Sequence, residues 1–483
     1  MSSNSTQKKY EPVIGLEVHL QLNTRTKIFC GCPNVFGKDP NSQTDPVSLG
    51  LPGTLPVLNK KALEYGIKAG LALNCKISPL IKFDRKNYYY PDLPKGYQIS
   101  QYDHPIAYDG FLMVPTANRL KKIGITRAHL EEDAGKLIHD DQSNSSLVDY
   151  NRTGTPLMEI VTEPDLRSAQ EAYDYLHILK LTLQYLNISD CDMEKGSLRC
   201  DANISIRKVG SSTFGTKTEL KNMNSFKAVK AGLEYEIARH QKVLEAEERI
   251  VQETRLWNEA KGVTIAMRSK EEAHDYRYFP EPDLVPFVVS QEQIEDILRT
   301  LPELPLAKLE RLQKEYSISE YDAQILIQDP TIANFFETCA KQYNDTKKIC
   351  NWINGDLLKE LNERKIDFKD ITLHPGQLVR LIQKVEDGTI SNLGGKDVLK
   401  IILDTGRNVD QIITDEGLAQ VSDDGTLKGI IDEVINENKK IVEQIRDGKE
   451  SAIGFLVGQA MKKSQGKANP KKLGEIIKRR LIS

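Results

Sequence analysis

Residues 13–22 (VIGLEVHLQL) alternate apolar and polar positions with the two-residue period of a half-buried strand. Leu16, Val18, Leu20 and Leu22 share one face, which leaves Glu17, His19 and Gln21 on the other. Residues 198–207 (LRCDANISIR) repeat the pattern, with Cys200, Ala202, Ile204 and Ile206 going one way and Arg199, Asp201, Asn203 and Ser205 the other. Carboxylates and a histidine on the polar faces of sheet strands are held rigidly enough to bind a metal. The two stretches read as walls of one acidic pocket.

Up to about residue 290 the chain is rich in short strand-like runs, Gly–Pro turns and aromatic clusters. Helices interrupt it. Ser168 and Glu171 form an S-x-x-E capping box, and Leu176, Leu179, Leu183 and Leu186 then line one face at helical spacing. After Pro286 the pattern turns helical, opening on a second box at Ser290 and Gln293. Pro302 and Pro305 mark a linker or helix start, and Gly406 and Asn408 a further division. Beyond it Leu427, Ile430, Ile431, Val434 and Ile435 predict an amphipathic helix of a small bundle.

The chain has 483 residues, too many for one ordinary core, so two or three domains are expected. With 66 basic and 69 acidic residues the whole chain is not a polyanion binder, yet its end departs from the average. Lys462, Lys463, Lys467, Lys471, Lys472, Lys478, Arg479 and Arg480 stand there against the single acid Glu475. That run suits a polyanion or, equally, a solvated helix face. The first residues lack the apolar run of a signal peptide, and no stretch approaches bilayer length. Seven scattered cysteines, an odd number, suit reduced thiols, so a soluble cytoplasmic protein is expected.

Standard nucleotide motifs are missing: Gly394-Gly395-Lys396 lacks the upstream glycine of a phosphate-binding loop, and the kinase catalytic loop is absent. Acids are not. AHLEEDAGK carries His129, Glu131, Glu132, Asp133 and Lys136, and KTELKNMNSF carries Lys217, Glu219, Lys221 and Asn222. Hard oxygen ligands beside lysines suit Mg²⁺ holding phosphate groups, although three adjacent acids also suit a solvated turn. Residues 82–105 (KFDRKNYYYPDLPKGYQISQYDHP) alternate basic and aromatic side chains, a pattern shared by nucleic-acid stacking surfaces and by ordinary core packing. Cys30-Gly31-Cys32 resembles half of a zinc knuckle, but only Asp45 and Ser48 follow within reach, so two free cysteines in a loop are expected.

Taken together, VIGLEVHLQL, KFDRKNYYYPDLPKGYQISQYD, IGITRAHLEEDAGK, DYNRTGTPLMEIVTEPDLRS, MEKGSLRCDANIS, GTKTELKNMNSF, QETRLW and DYRYFPEPDL closely resemble GatB, the B subunit of the tRNA-dependent amidotransferases. The resemblance runs in order from Val13 to GFLVGQAMKKSQGKANP. It implies an α+β chain: a mixed α/β cradle-like catalytic domain over 1–292, a helical domain over 293–408 and a helical tail over 409–483 that binds tRNA. It also implies two protein partners, an amidase and a small third subunit, together with misacylated tRNA(Gln) or tRNA(Asn), ATP and Mg²⁺. The family phosphorylates the side-chain carboxylate of the tRNA-bound amino acid, and ammonia channelled from the amidase then displaces the phosphate.

By the family pattern Glu17, His19, Glu132, Asp201 and Glu219 are the metal positions. Strand alternation alone would put Glu131 rather than Glu132 beside His129, so that choice rests on the resemblance. Lys86, Tyr88 and Lys95 match positions near the ammonia channel and active-site entrance; with Glu132, the two lysines are the expected catalytic residues. Lys462, Lys463, Lys467, Lys471 and Lys472 are expected to meet tRNA phosphates. One departure matters: where many members read T-C-P-V-C-L-G, this chain reads T-D-P-V-S-L-G, so no zinc is expected. The alternative is a catalytically silent tRNA-binding scaffold of the same complex.

Overall fold

The computed structural model of the chain describes residues 9–116, 119–140, 145–267, 276–420, 424–446, 449–464 and 468–482. It forms two compact units, Met1–Pro305 and Leu306–Ser483. The first joins a mixed sheet to helices and the second is helical, an α+β arrangement. No described helix is long and apolar enough to cross a membrane.

The first unit is built on a nine-stranded sheet. Five adjacent strands form its centre: β1 (Tyr10–Gln21), β2 (Leu120–Glu132), β3 (Pro156–Thr162), β4 (Leu198–Lys208) and β5 (Thr218–Lys221). Their spatial order is β5-β4-β1-β3-β2, each pair antiparallel, so the N-terminal strand lies in the middle. Glu253–Asn258 and Val263–Ala266 extend the sheet beyond β5; Ala107–Pro115 and Lys76–Ile77 extend it beyond β2.

Directly opposed residues of antiparallel strands share a face. Leu16, Val18 and Leu20 of β1 and Cys200, Ala202 and Ile204 of β4 are all buried in the core. The apolar face is covered by α1 (Lys60–Ala72), α2 (Ala169–Tyr185) and α3 (Phe226–Glu245). Leu176, Leu179, Leu183 and Leu186 are buried there, as their spacing predicts. Ser168 accepts from the Glu171 N–H, but the Glu171 carboxylate takes the Arg167 N–H (2.6 Å) and the Lys121 ammonium, so the box is shifted by one residue. At Ser290 and Gln293 the box is reciprocal.

Behind β5, α3 presents Glu236 and His240, both fully buried. The Glu236 carboxylate accepts from Arg239 (2.7 Å) and Thr264 (2.6 Å) and meets His240 at 3.3 Å, while His240 also bonds Thr218. This network fixes the strand whose opposite face carries Glu219. Burial opposes ionisation of Glu236, but the bonds from His240, Arg239 and Thr264 outweigh it and hold the carboxyl down to about 2. A depressed carboxyl stabilises the fold above its unfolded value and loses that contribution as pH falls. Against an unfolded value of ~4.3, the contribution is about 3 kcal/mol, lost progressively from about pH 4.3 downward. Glu236→Gln should therefore be clearly less stable than wild type by urea unfolding near neutrality, and the gap should close toward about pH 2.

A three-stranded sheet in the order Arg277–Pro280, Asp84–Asn87, Tyr97–Ser100 packs at the polar side. Arg85 anchors it through two bonds to buried Glu281 (2.7 and 3.0 Å). In the second unit, Leu427, Ile431 and Val434 of Asp424–Glu437 are fully buried against Leu456, Leu473 and Ile477, the small bundle that the periodicity predicts.

Candidate active site

The polar face of the central strands gathers the site. His19 opposes Glu159 on β3 and Arg199 on β4; Glu159 opposes His129 on β2; Glu17 opposes Asp201; Asn203 opposes Glu219 on β5. One side-chain period on five strands thus places a histidine pair and a row of acids side by side. His19 Nε2 lies 3.3 Å from Glu159 and 3.8 Å from Glu131; His129 Nε2 lies 3.6 and 3.7 Å from the same carboxylates.

His19, Glu131 and Glu159 each offer a ligand atom within 4.8 Å of the others, the one such group of three among the described residues. Glu131 and His129 are buried. Burial disfavours protonated His19, but the Glu159 bond and the charges of Glu131 and Glu159 prevail and raise its pKa. Burial likewise opposes the ionised Glu131 and Glu159, yet the facing histidines hold both below the usual carboxylate range. Next along the face, Glu17 is raised by burial and then by Glu159, Glu219 and Asp201. Carboxylates that repel one another's charge in this way are short of a cation. Lys221 offsets part of the deficit, 3.2 Å from both Asp201 and Glu219, and Asn203 donates to Glu17 at 3.0 Å.

Glu132 is placed apart from this group. The two-residue period sends it to the face opposite Glu131, where its carboxylate takes the Lys95 ammonium and the Ile99 N–H (2.8 Å). Both partners are buried, with side-chain exposures of 6% for Lys95 and 2% for Glu132. The loop over Lys95 requires a glycine: Gly50 has φ +69°, and Lys95 occupies the space a Cβ would need. Lys86 and Tyr88, on or just after the three-stranded sheet, stay near the acids. Burial would lower Lys86, but Glu131 heads the charges that raise it, and its ammonium sits 4.6 Å from the Tyr276 ring centroid. Burial raises Tyr88, whose ring meets Tyr276 edge-on at 5.5 Å.

Asp133, also buried, follows β2 and sits in a cationic clamp, bonded by Arg152 (2.6 Å), Arg199 (2.9 Å) and Gln21 (3.0 Å). A cleft of about 510 Å³ opens at the start of the polar face, lined by Gly15, Glu17, Asn203, Phe214, Gly215 and Lys217. The cysteine loop is separate. Burial and a bond to Asp45 push the Cys30 thiol up to about 12, and Asp45 is already tied to the Ser48 N–H at 2.7 Å. In the tail Lys462, Lys463, Lys471 and Lys472 are exposed, and Lys467 lies outside the described residues. Lys463 is engaged by Glu433 (2.8 Å) and Glu437 (2.6 Å).

One member of the central cluster, Glu159, escapes the sequence reading. Glu159 is a lone acid in the apolar run PLMEIVT, and a strand buried on both sides hides alternation. His129 is visible as a candidate, but its alignment with Glu159 depends on strand order, which periodicity does not supply.

Comparison with known proteins agrees with this architecture. Residues 12–295 match the family described as GatB/GatE catalytic domain, and residues 334–481 match the GatB domain. The chain is 54% identical over 473 residues to the B subunit of the aspartyl/glutamyl-tRNA(Asn/Gln) amidotransferase of Caldanaerobacter subterraneus subsp. tengcongensis, covering 98% of this chain and 99% of the relative. A protein of the same name from Thermodesulfovibrio yellowstonii is 55% identical (97% and 98% covered), and one from Brevibacillus brevis 51% (98% and 99%). Likeness of this extent, over both units and the whole acidic face, makes the chain a member of the GatB family of amidotransferase subunits.

Proposed function

We propose that this chain activates the side-chain carboxylate of glutamate carried on tRNA(Gln), and of aspartate on tRNA(Asn), at the expense of ATP, and converts it to the amide with ammonia from a partner amidase. The observation that carries the reading is the row His19, Glu131, Glu159, Glu17, Asp201 and Glu219 on one rigid face beside a cleft. A carboxylate is a poor acyl donor because oxide would have to leave. Its oxygen therefore attacks the γ-phosphorus, ADP departs, and phosphate becomes the leaving group when the ammonia nitrogen attacks the acyl carbon.

Such a transfer needs positioning and charge neutralisation more than covalent help. The oxygen-rich donor set and the raised pKa of Glu17 fit a divalent cation such as Mg²⁺, held by His19, Glu131 and Glu159 with Glu17, Asp201 and Glu219 close by. When bound, it would neutralise phosphate oxygens during transfer. The cleft beside Glu17 has the volume of small-molecule sites, and Lys217 and half-exposed Phe214 on its lining suit a phosphate and a base. Lys86 and Tyr88 border the acids where ammonia would enter, and the buried Lys95–Glu132 pair suits a gate on that path. The amidase and the small third subunit would complete the assembly.

The test is phosphate release from γ-labelled ATP by the assembled complex, with Glu-tRNA(Gln) and with uncharged tRNA(Gln). Cleavage that requires the glutamyl group is the expected result. Cleavage indifferent to it would indicate a general phosphohydrolase, and none at all a scaffold. For the tail, we expect joint replacement of Lys462 and Lys471 by Ala to lower the salt slope of tRNA binding by about 2. Lys463→Ala should change it far less, because Glu433 and Glu437 already neutralise that ammonium. Filter binding across a salt series decides; equal effects would return these lysines to a solvated face.

A further inference from the structure

Arg199 is incompletely satisfied where it stands. It opposes His19 on the polar face, and its Nη2 reaches one oxygen of Asp133 at 2.9 Å. The other Asp133 oxygen is taken by Arg152 and Gln21, so Asp133 does not grip Arg199 at two points. The Arg199 Nε–H is buried and meets no acceptor. The Arg199 side chain is nonetheless 42% exposed, so an acceptor supplied from outside can reach the guanidinium beyond its single bond to Asp133.

The order of groups along the face says which acceptor. The cleft lies at the Val13–Glu17 end of β1, the His19 cluster comes next, and Arg199 leans toward Asp133, which Gln21 at the far end of β1 also holds. In-line phosphoryl transfer puts the leaving and attacking oxygens on opposite sides of the moving phosphorus. With the phosphates at the cleft, the acceptor falls to the Arg199 side. A planar guanidinium matches a planar carboxylate in shape and charge.

We propose that Arg199 binds the side-chain carboxylate of the aminoacyl group, and that this contact separates the acidic substrate from the amide product. The inference rests on the carboxylate-activating reading above. The amide is neutral, so it loses the charge-assisted part of the contact and is released, while the acid is retained.

The experiment measures equilibrium binding of Glu-tRNA(Gln), Gln-tRNA(Gln) and uncharged tRNA(Gln) to the assembled complex without ATP. The wild-type complex should prefer the glutamyl form by about 10- to 100-fold, the value of one charge-assisted bond. In R199Q the preference should shrink to within about twofold, with binding of uncharged tRNA unchanged. R199K, which keeps the charge but not the fork, should retain part of it. R152Q disturbs the same Asp133 clamp and should keep the preference, which separates carboxylate recognition from local structure. Retention of the preference in R199Q, or equal loss in R152Q, overturns the proposal. Absence of the preference in a wild-type complex that still needs the glutamyl group to cleave ATP overturns it too, while leaving carboxylate activation intact. ATP cleavage indifferent to the glutamyl group removes both.

Discussion

Glu131→Gln should lower tRNA-dependent ATP cleavage by about a thousandfold, equivalent to several kcal/mol of lost charge stabilisation. The change is isosteric and removes one charge from the only described trio of side chains within metal-binding reach. Binding of Mn²⁺, followed by its paramagnetic signal, should weaken in parallel, whereas tRNA affinity should hold. Glu159→Gln should behave alike, since its carboxylate touches both His19 and His129. Glu132→Gln is the informative contrast, because its side chain leaves the strand on the other face. Loss of Mn²⁺ binding in Glu132→Gln but not in Glu131→Gln would show that side-chain parity misassigns the ligand.

Glu132→Leu is expected to destabilise the fold by about 3–5 kcal/mol, the cost of stranding a buried ammonium. Lys95 is that ammonium, and Lys27, fully buried and donating to the Gln43 carbonyl at 2.7 Å, also feels the Glu132 charge. Lys95→Met should cost a similar amount by leaving the carboxylate alone. The double variant should recover much of the loss, because an apolar pair of similar volume replaces a desolvated ion pair. Denaturant midpoints of the four proteins give the coupling directly. Strictly additive losses would mean that the two residues are held by other partners.

Much of this arrangement was legible in the sequence, and the gaps have physical causes. Alternation puts Glu17, His19 and Gln21 of β1 and Arg199, Asp201 and Asn203 of β4 on the face opposite Leu16, Val18, Leu20, Cys200, Ala202 and Ile204, as the structure does. The acids after His129 were harder. Glu131, Glu132 and Asp133 are consecutive, so they occupy both parities, and only the strand's pairing with β3 decides which one joins His19. Glu159 sits in a run whose neighbours are all apolar, which resembles core. The basic tail taught the same lesson about charge: counting lysines missed that Lys463, Lys478 and Arg480 meet Glu433, Glu437, Glu450 and Asp432 from other helices.

The central place of β1 also bears on biosynthesis. Its partners emerge long after it does: Leu16 bonds Thr162, 146 residues later, and Glu17 bonds Asn203, 186 residues later. During translation this strand waits with both backbone edges open and an apolar face uncovered, the condition in which strands pair with the wrong chain. The His19–Glu131–Glu159 half of the acidic face can assemble once β3 has emerged, but the Asp201–Glu219 half and the second edge of β1 wait for β4 and β5. We expect the newborn chain to depend on chaperones that mask extended apolar segments, and fragments ending before β4 to aggregate rather than fold.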